Sequence, residues 1–239
     1  MSNLPFKLIA LVLLVAMPLI GSTPVVAQPT AMKIGIIGTG RIGGALARHW
    51  VNAGHEVFVS SRHPEELQGL ADELGANAQA GLPREAVAFG DVILLSVPYA
   101  AVPQIGVDFA AELAGKIVLD TSNPQQRRDG DMAIEALEKG SGIATAEFLA
   151  ETRVVRAYNC IPAASLANLP NRQPARLAIP LAGDDAQALE VAQRLVDDSG
   201  FDAVVVGPLE AARHFDLGQP LARGDLSAAE FRRLIDEVL

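Results

Sequence analysis

The residues Gly38-Thr39-Gly40-Arg41-Ile42-Gly43 follow a short apolar run and open a stretch of helical periodicity. Glycines at the first, third and sixth places of such a turn have separate tasks. The first bends the chain, the second leaves room for a pyrophosphate, and the third lets helix and strand pack closely. The N–H groups and partial positive charge of the helix N-terminus complete an anion site. About twenty residues further on, a nucleotide site often carries an acid that accepts from a ribose 2′-hydroxyl. Here the chain offers Ser60-Ser61-Arg62-His63 instead. An acid would repel a 2′-phosphate, whereas a hydroxyl and a guanidinium attract it with paired donors. The pattern therefore predicts NADP as cofactor, with Ser61 and Arg62 on the phosphate. His63 adds a donor or stacks on the adenine, and Arg41 points to the same neighbourhood. The plain alternative is a solvated turn with Ser61 as a cap.

The remaining reactive residue types carry less. Cys160 ends an apolar run, where a free cysteine usually behaves as a small hydrophobe, and nothing near it in sequence would lower its pKa. Asp120-Thr121-Ser122-Asn123-Pro124 follows another apolar run and reads equally as a ligand loop or as plain turn chemistry. His214 is expected on the surface or in packing, and Gln125–Asp131 as a solvated charged turn. No carboxylate pair or nucleophile triad is evident. The histidines are scattered singly and there is one cysteine, so no metal site and no intrachain disulfide is expected.

These residues need elements to hold them. Apolar runs at 33–38, 55–61, 91–98, 116–124 and 154–162 alternate with helical patterns at 41–54, 64–75 and 99–113. Continuous apolar strands separated by helices require a sheet covered on both faces. The expected fold class is α/β: a doubly wound, Rossmann-type parallel sheet. The texture shifts after Pro162, and runs at 175–183 and 202–207 around a helix suggest a smaller C-terminal α/β appendage, closed by a helix from about Ser227. The expected organisation is a nucleotide domain over 32–159 and a small domain over 160–239.

The net charge of −9 argues against nucleic acid as a partner. At the N-terminus, Lys7 precedes an apolar run over 8–20, and Val25 and Ala27 stand at −3 and −1 of a cut before Gln28. This is the pattern of a secretory signal peptide over 1–27. The run is shorter than the roughly 20 residues that span a bilayer, so no stable transmembrane anchor is expected. The expected localisation is periplasmic or secreted if the signal operates, and cytoplasmic if Met32 is the true start.

The ordered segments KIGIIGTGRIGGALA, HEVFVSSR, DVILLSVPY, VVRAYNCIPAASLAN and LAGDD…VVVGPLEAAR together resemble the F420-dependent NADP oxidoreductase family, the NADPH:F420 reductases. More broadly, the N-terminal part is similar to the nucleotide domains of pyrroline-carboxylate reductases and ferric reductases. The resemblance implies hydride transfer between NADPH and a deazaflavin with the two rings stacked. It places Thr39, Arg41, Ile42, Ser61 and Arg62 on NADP and Ser96, Val97 and Pro98 beside the nicotinamide. Asn159, Cys160, Ile161 and Pro162 then line the acceptor side. Such a transfer needs proximity and orientation more than an acid or base.

This chain departs from the family at Asn159, where deazaflavin-using members carry a histidine, and at Glu66, where they carry a lysine. Its C-terminal segment lacks their glycine-rich ending. The expected acceptor is therefore a small molecule that is either coenzyme F420 or a flavin. A non-catalytic NADP-binding redox sensor or partner protein is the alternative, and an imine reductase of the pyrroline-carboxylate type a weaker third. A homodimer is the expected assembly.

Overall fold

The computed structural model describes residues 31–239; the signal-peptide expectation falls outside them. Strand β1 (Lys33–Ile37) leads into helix α1 (Arg41–Asn52), and β2 (Glu56–Ser60) into a 3-10 turn (Pro64–Leu67) and α2 (Gln68–Leu74). There follow β3 (Ala78–Gly81), α3 (Pro83–Phe89), β4 (Val92–Leu95), α4 (Val102–Asp108), α5 (Ala110–Leu113) and β5 (Ile117–Asp120). Helices α6 (Gln126–Asp129), α7 (Asp131–Lys139) and α8 (Ser141–Phe148) precede β6 (Arg153–Arg156) and α9 (Ala163–Asn168). The chain closes with β7 (Ala178–Gly183), α10 (Ala186–Asp198), β8 (Asp202–Gly207), a 3-10 segment (Leu209–Phe215) and α11 (Ala228–Val238).

All eight strands join one sheet in the order β3-β2-β1-β4-β5-β6-β7-β8. Every neighbouring pair is parallel except β6 with β7, which is antiparallel. The C-terminal α/β portion thus continues the sheet. Apart from the terminal Lys33 and Asp120, strands β1, β4, β5 and β7 are apolar or small on both faces because helices cover both. Strand order reverses direction beside β1, so a crevice opens beyond the carboxyl ends of β1 and β4. That is where open α/β sheets place their ligands.

One apolar core runs from Ile34, Leu46 and Trp50 through Val155 and Tyr158 to Leu195 and Phe201, and so joins both ends of the sheet. Two buried polar ties reinforce it. Trp50 Nε1 donates to the Leu195 carbonyl at 2.8 Å. Met32 N–H donates to His55 Nδ1 at 3.0 Å, which leaves the ring proton on Nε2 to reach Asp198 at 2.9 Å. The last helix begins as expected: Ser227 and Glu230 form a reciprocal cap, which stabilises a helix start by about 1 kcal/mol. None of the described helices is long and apolar enough to cross a membrane.

Candidate nucleotide and acceptor site

The glycine turn separates into its three tasks in space. Gly38 has φ +93°, open to glycine at little cost, and a Cβ there would strike the Ser96 carbonyl and lie 2.8 Å from Val97 Cγ1. A Cβ on Gly43 would run into the Gly38 carbonyl oxygen, so helix and turn touch there. Gly40 differs from both, because nothing lies within 4 Å of the Cβ position. It is also the N-cap of α1, without a side-chain cap and without an acid in the first turn. The N–H groups of that turn are therefore left for an anion.

The ends of β2 and β4 are fastened to this turn. Thr39 Oγ1 donates to the Ser60 carbonyl and accepts from the Ser60 N–H, each at 3.0 Å. Ser60 Oγ is buried and donates to the Ile36 carbonyl at 2.6 Å, so this hydroxyl is used inside the sheet. Ser61 Oγ accepts from the His63 N–H at 2.8 Å, a local turn that still leaves its hydroxyl proton to give. His63 is exposed, 3.5 Å from Glu65. Arg41 and Arg62 are exposed, and neither has a hydrogen bond or ion pair with another described residue. Such positions with free guanidinium groups beside an open helix N-terminus fit a phosphorylated ligand. On the other flank, Ser96 N–H donates to the Ile37 carbonyl at 2.9 Å. Ser96, Val97 and Pro98 thereby border the turn; Ser96 and Val97 are half-buried and Pro98 is exposed. Ile42 packs on the edge of the core.

The residues expected on the acceptor side follow β6. Tyr158 has φ +58°, an uncommon conformation for a bulky residue. Its ring is locked by hydrogen bonds to the Leu195 carbonyl at 3.2 Å and to Ser199 Oγ at 3.0 Å. The chain turns there, and Asn159, Cys160 and Ile161 are buried beyond it. Asn159 Nδ2 donates to the Phe215 carbonyl at 2.9 Å, and its Oδ1 has no partner. Asn123 Nδ2 donates to the Asn159 carbonyl at 2.7 Å, tying the loop after β5 to the segment after β6. A cleft between α1 and α9, lined by Gly40, Arg41, Ala163 and Ala164, connects the glycine turn with the helix that begins after Pro162.

Beneath these loops lies a buried charge network that sequence reasoning missed. Arg156 is fully buried; its Nη1 donates to Asp120 Oδ2 at 2.7 Å and to the Ser122 carbonyl at 2.6 Å. Its Nη2 lies 3.5 Å from Asp216, which accepts from Ser141 Oγ and from the Ser141 N–H. Thr145 Oγ1 donates to Asp120 Oδ2 at 2.9 Å. Burial works to lower the Arg156 pKa, but the Asp120 and Asp216 carboxylates outweigh it and hold the guanidinium more basic than usual. Burial pushes Tyr99 up to about 12. One signal was available: an arginine in the middle of VVRAYN, since a charge in a buried strand must have partners.

The same geometry answers the minor candidates. The Asp120 carboxylate is consumed by Arg156, Thr145 and Ser122, which leaves it turned inward. Cys160 is buried, and burial raises its thiol to about 12, so it is inert as a nucleophile. The 125–131 segment is solvated as expected except at Asp129, but it is helical rather than a plain turn. It forms α6, and the buried Asp129 carboxylate accepts from the Ala100 and Gln125 N–H groups, tying the loop after β4 to that after β5. His214 is half-buried, with no side-chain hydrogen bond among the described residues.

Comparison with known proteins shows the family. Residues 33–124 match the family described as NADP oxidoreductase, coenzyme F420-dependent. The chain is 31% identical over 208 residues to the F420-dependent NADP reductase of Methanocaldococcus jannaschii, covering 81% of this chain and 92% of the relative. The chain belongs to the F420-dependent NADP oxidoreductase family. Its members are NADP-dependent oxidoreductases with an α/β nucleotide fold. The chain is also 32% identical over 196 residues to the rat metalloreductase STEAP3, where it spans 36% of that protein's length and the match covers 78% of this chain. Among solved structures, hypothetical protein SMa0349 from Sinorhizobium meliloti superposes with a TM-score of 0.71 at 30% identity, over 82% of this chain and 96% of that one. A reductive aminase from Aspergillus terreus shares the fold at a TM-score of 0.57 and 19% identity, over 77% of this chain and 59% of that one.

Proposed function

We propose that this reductase transfers a hydride between NADP(H) and a flavin or deazaflavin acceptor. One observation carries the nucleotide half of the reading: two arginines without a partner among the described residues, Arg41 and Arg62, flank a helix N-terminus with open space at Gly40. The backbone of Gly38–Gly43 would hold the pyrophosphate, and Ser61 and Arg62, with His63 beside them, the 2′-phosphate. Ser96, Val97 and Pro98 would border the nicotinamide, and Asn159–Pro162 the acceptor. When bound, the nicotinamide supplies or takes up the hydride. The protein's contribution is orientation and the exclusion of water, which suits a site whose buried carboxylates and thiol are all withdrawn from it.

The name of the Methanocaldococcus relative supports a deazaflavin acceptor, whereas Asn159, in a place where such members carry histidine, supports a flavin. The test is a titration of purified residues 32–239 with NADPH and NADH, followed by mixing with coenzyme F420 and with FMN while NADPH oxidation is recorded. Tighter NADPH binding with turnover of either acceptor is the expected result. Nucleotide binding without turnover of either would favour the non-catalytic sensor, and binding to neither nucleotide would overturn the reading.

A further inference from the structure

Ser96–Pro98 follow β4 and Asn159–Pro162 follow β6, with β5 between them in the sheet. Neighbouring strands lie about 4.8 Å apart, so the two flanks start about 10 Å from each other. Reacting atoms in a hydride transfer must come within about 3–3.5 Å. Whatever bridges the width of β5 therefore sets how closely two bound rings can approach. The loop after β5 carries such a bridge. Asp129 Oδ1 accepts from the Ala100 N–H at 3.3 Å, two residues past Pro98, and from Arg128 Nε at 2.8 Å. Its Oδ2 accepts from the Gln125 N–H and from Arg128 Nη2, each at 2.9 Å. A carboxylate offers about four acceptor places, so the protein itself fills Asp129 and leaves nothing for a ligand. Arg128 Nη2 also donates to the Asn123 carbonyl, and Asn123 Nδ2 donates to the Asn159 carbonyl, each at 2.7 Å. These bonds run unbroken from the backbone of Ala100 to the backbone of Asn159. Asn123 Oδ1 is buried without a hydrogen-bond partner among the described residues, so Nδ2 is what this side chain contributes.

We propose that Asn123 and Arg128 are positioning residues for the hydride transfer. With Asp129 they form a strut that fixes the nicotinamide flank to the acceptor flank and sets the spacing of the two rings. This rests on the hydride-transfer reading above. The strut ends on main-chain groups at both sides, so it holds whole loops rather than single side chains. The two-point pairing of Arg128 with Asp129 keeps the guanidinium in one orientation. Without the strut each flank still binds its own ligand, and only the separation between them is released. Its signature is a slower transfer at unchanged affinity.

The test is Asn123→Ala in the purified chain, with NADPH and whichever of FMN and coenzyme F420 the wild type reduces. The substitution removes one unpaired buried oxygen, Asn123 Oδ1, and takes a donor from another, the Asn159 carbonyl. The urea midpoint should therefore stay near that of the wild type. Single-turnover hydride transfer is expected to fall about five- to fiftyfold, the scale of a misplacement below 1 Å, while the NADPH Kd and acceptor KM change less than about twofold. Arg128→Met cuts the same strut one link away, at an exposed side chain. The double variant should lose about as much as the worse single one, because both break one connection. Hydrogen exchange gives a readout without turnover. In the wild type NADPH should slow the amides of Val97 and Ala100 and, through the strut, those of Cys160 and Ile161. In Asn123→Ala the second effect should vanish while the first persists. Wild-type transfer rates in the variants, slowing at Cys160 and Ile161 that survives Asn123→Ala, or a rate loss matched by lost NADPH affinity or stability overturns the strut alone. If Asn123→Ala does not fold, the same measurements on Arg128→Met decide. A wild type that reduces neither acceptor overturns the hydride-transfer reading, and the positioning role with it.

Discussion

The carboxyl edge of β1 and β2 and the carboxyl edge of β5 and β6 belong to one sheet, yet they are built on opposite plans. At the first, donors stand free of the described residues: Arg41 and Arg62 have no partner among them, and the turn at Gly40 is open. At the second, Arg156, Asp120, Asp216 and Asn159 are buried and bound to the protein itself. The first edge keeps its charge for a ligand, while the second spends its charge on shape. A nucleotide brings phosphates and asks for donors. A neutral ring asks for a surface at a fixed distance, and a buried ionic lattice holds loops in place without exposing charge.

The contrast can be broken most severely at Arg156. Replacing it with methionine leaves the Asp120 and Asp216 carboxylates buried without their cation, and we expect a loss of about 3–5 kcal/mol in urea unfolding. At the open edge, Arg62→Asp should cost no stability. It should weaken NADPH about ten- to a hundredfold in a binding titration, the scale of one or two charge-assisted hydrogen bonds, and leave NADH unaffected. Equal effects on both nucleotides would remove the arginine from the 2′-phosphate.

The glycine turn holds both plans within six residues. Gly43→Ala drives a methyl into the Gly38 carbonyl and should lower stability by about 1–3 kcal/mol, as overpacking does. Gly40→Ala meets nothing within 4 Å, so unfolding should be nearly unchanged while NADPH affinity falls. Loss of stability in both variants would abolish the distinction. The smallest effect is expected at Glu66, which is exposed on the 3-10 turn after Arg62. Glu66→Lys replaces a repulsion with an attraction and should tighten NADPH by about two- to fivefold, a gain that fades as salt screens it.

These two edges also differ in how far they could be read beforehand. Gly38, Gly40, Gly43, Ser61 and Arg62 lie within twenty-five residues of each other, and each does a local task that its own type reveals. Alternating apolar runs likewise announced the strands that carry them. Strand β3 escaped because AQAG has neither alternation nor branched side chains. Helices α6 to α8 escaped because several glycines break their pattern. The edge of β5 and β6 escaped for a deeper reason. Asp120, Ser141, Arg156 and Asp216 are scattered over most of the C-terminal half, and only the folded sheet makes them neighbours. Nothing in the spacing of Asn159 and Phe215 shows that the amide of one reaches the carbonyl of the other.

The bonds from Trp50 and His55 to α10 have a consequence for the order in which the chain matures. Trp50 reaches across 145 residues to Leu195, and His55 across 143 to Asp198. Emerging from the ribosome, helix α1 carries a large indole with no seat, and Met32, just before β1, is held by an imidazole that still lacks its counterpart. Contacts of such long sequence separation are slow to close. The nucleotide loop is thus encoded early and becomes rigid late, once about five-sixths of the chain has been made. Until then the cell must shelter an unfinished hydrophobic surface.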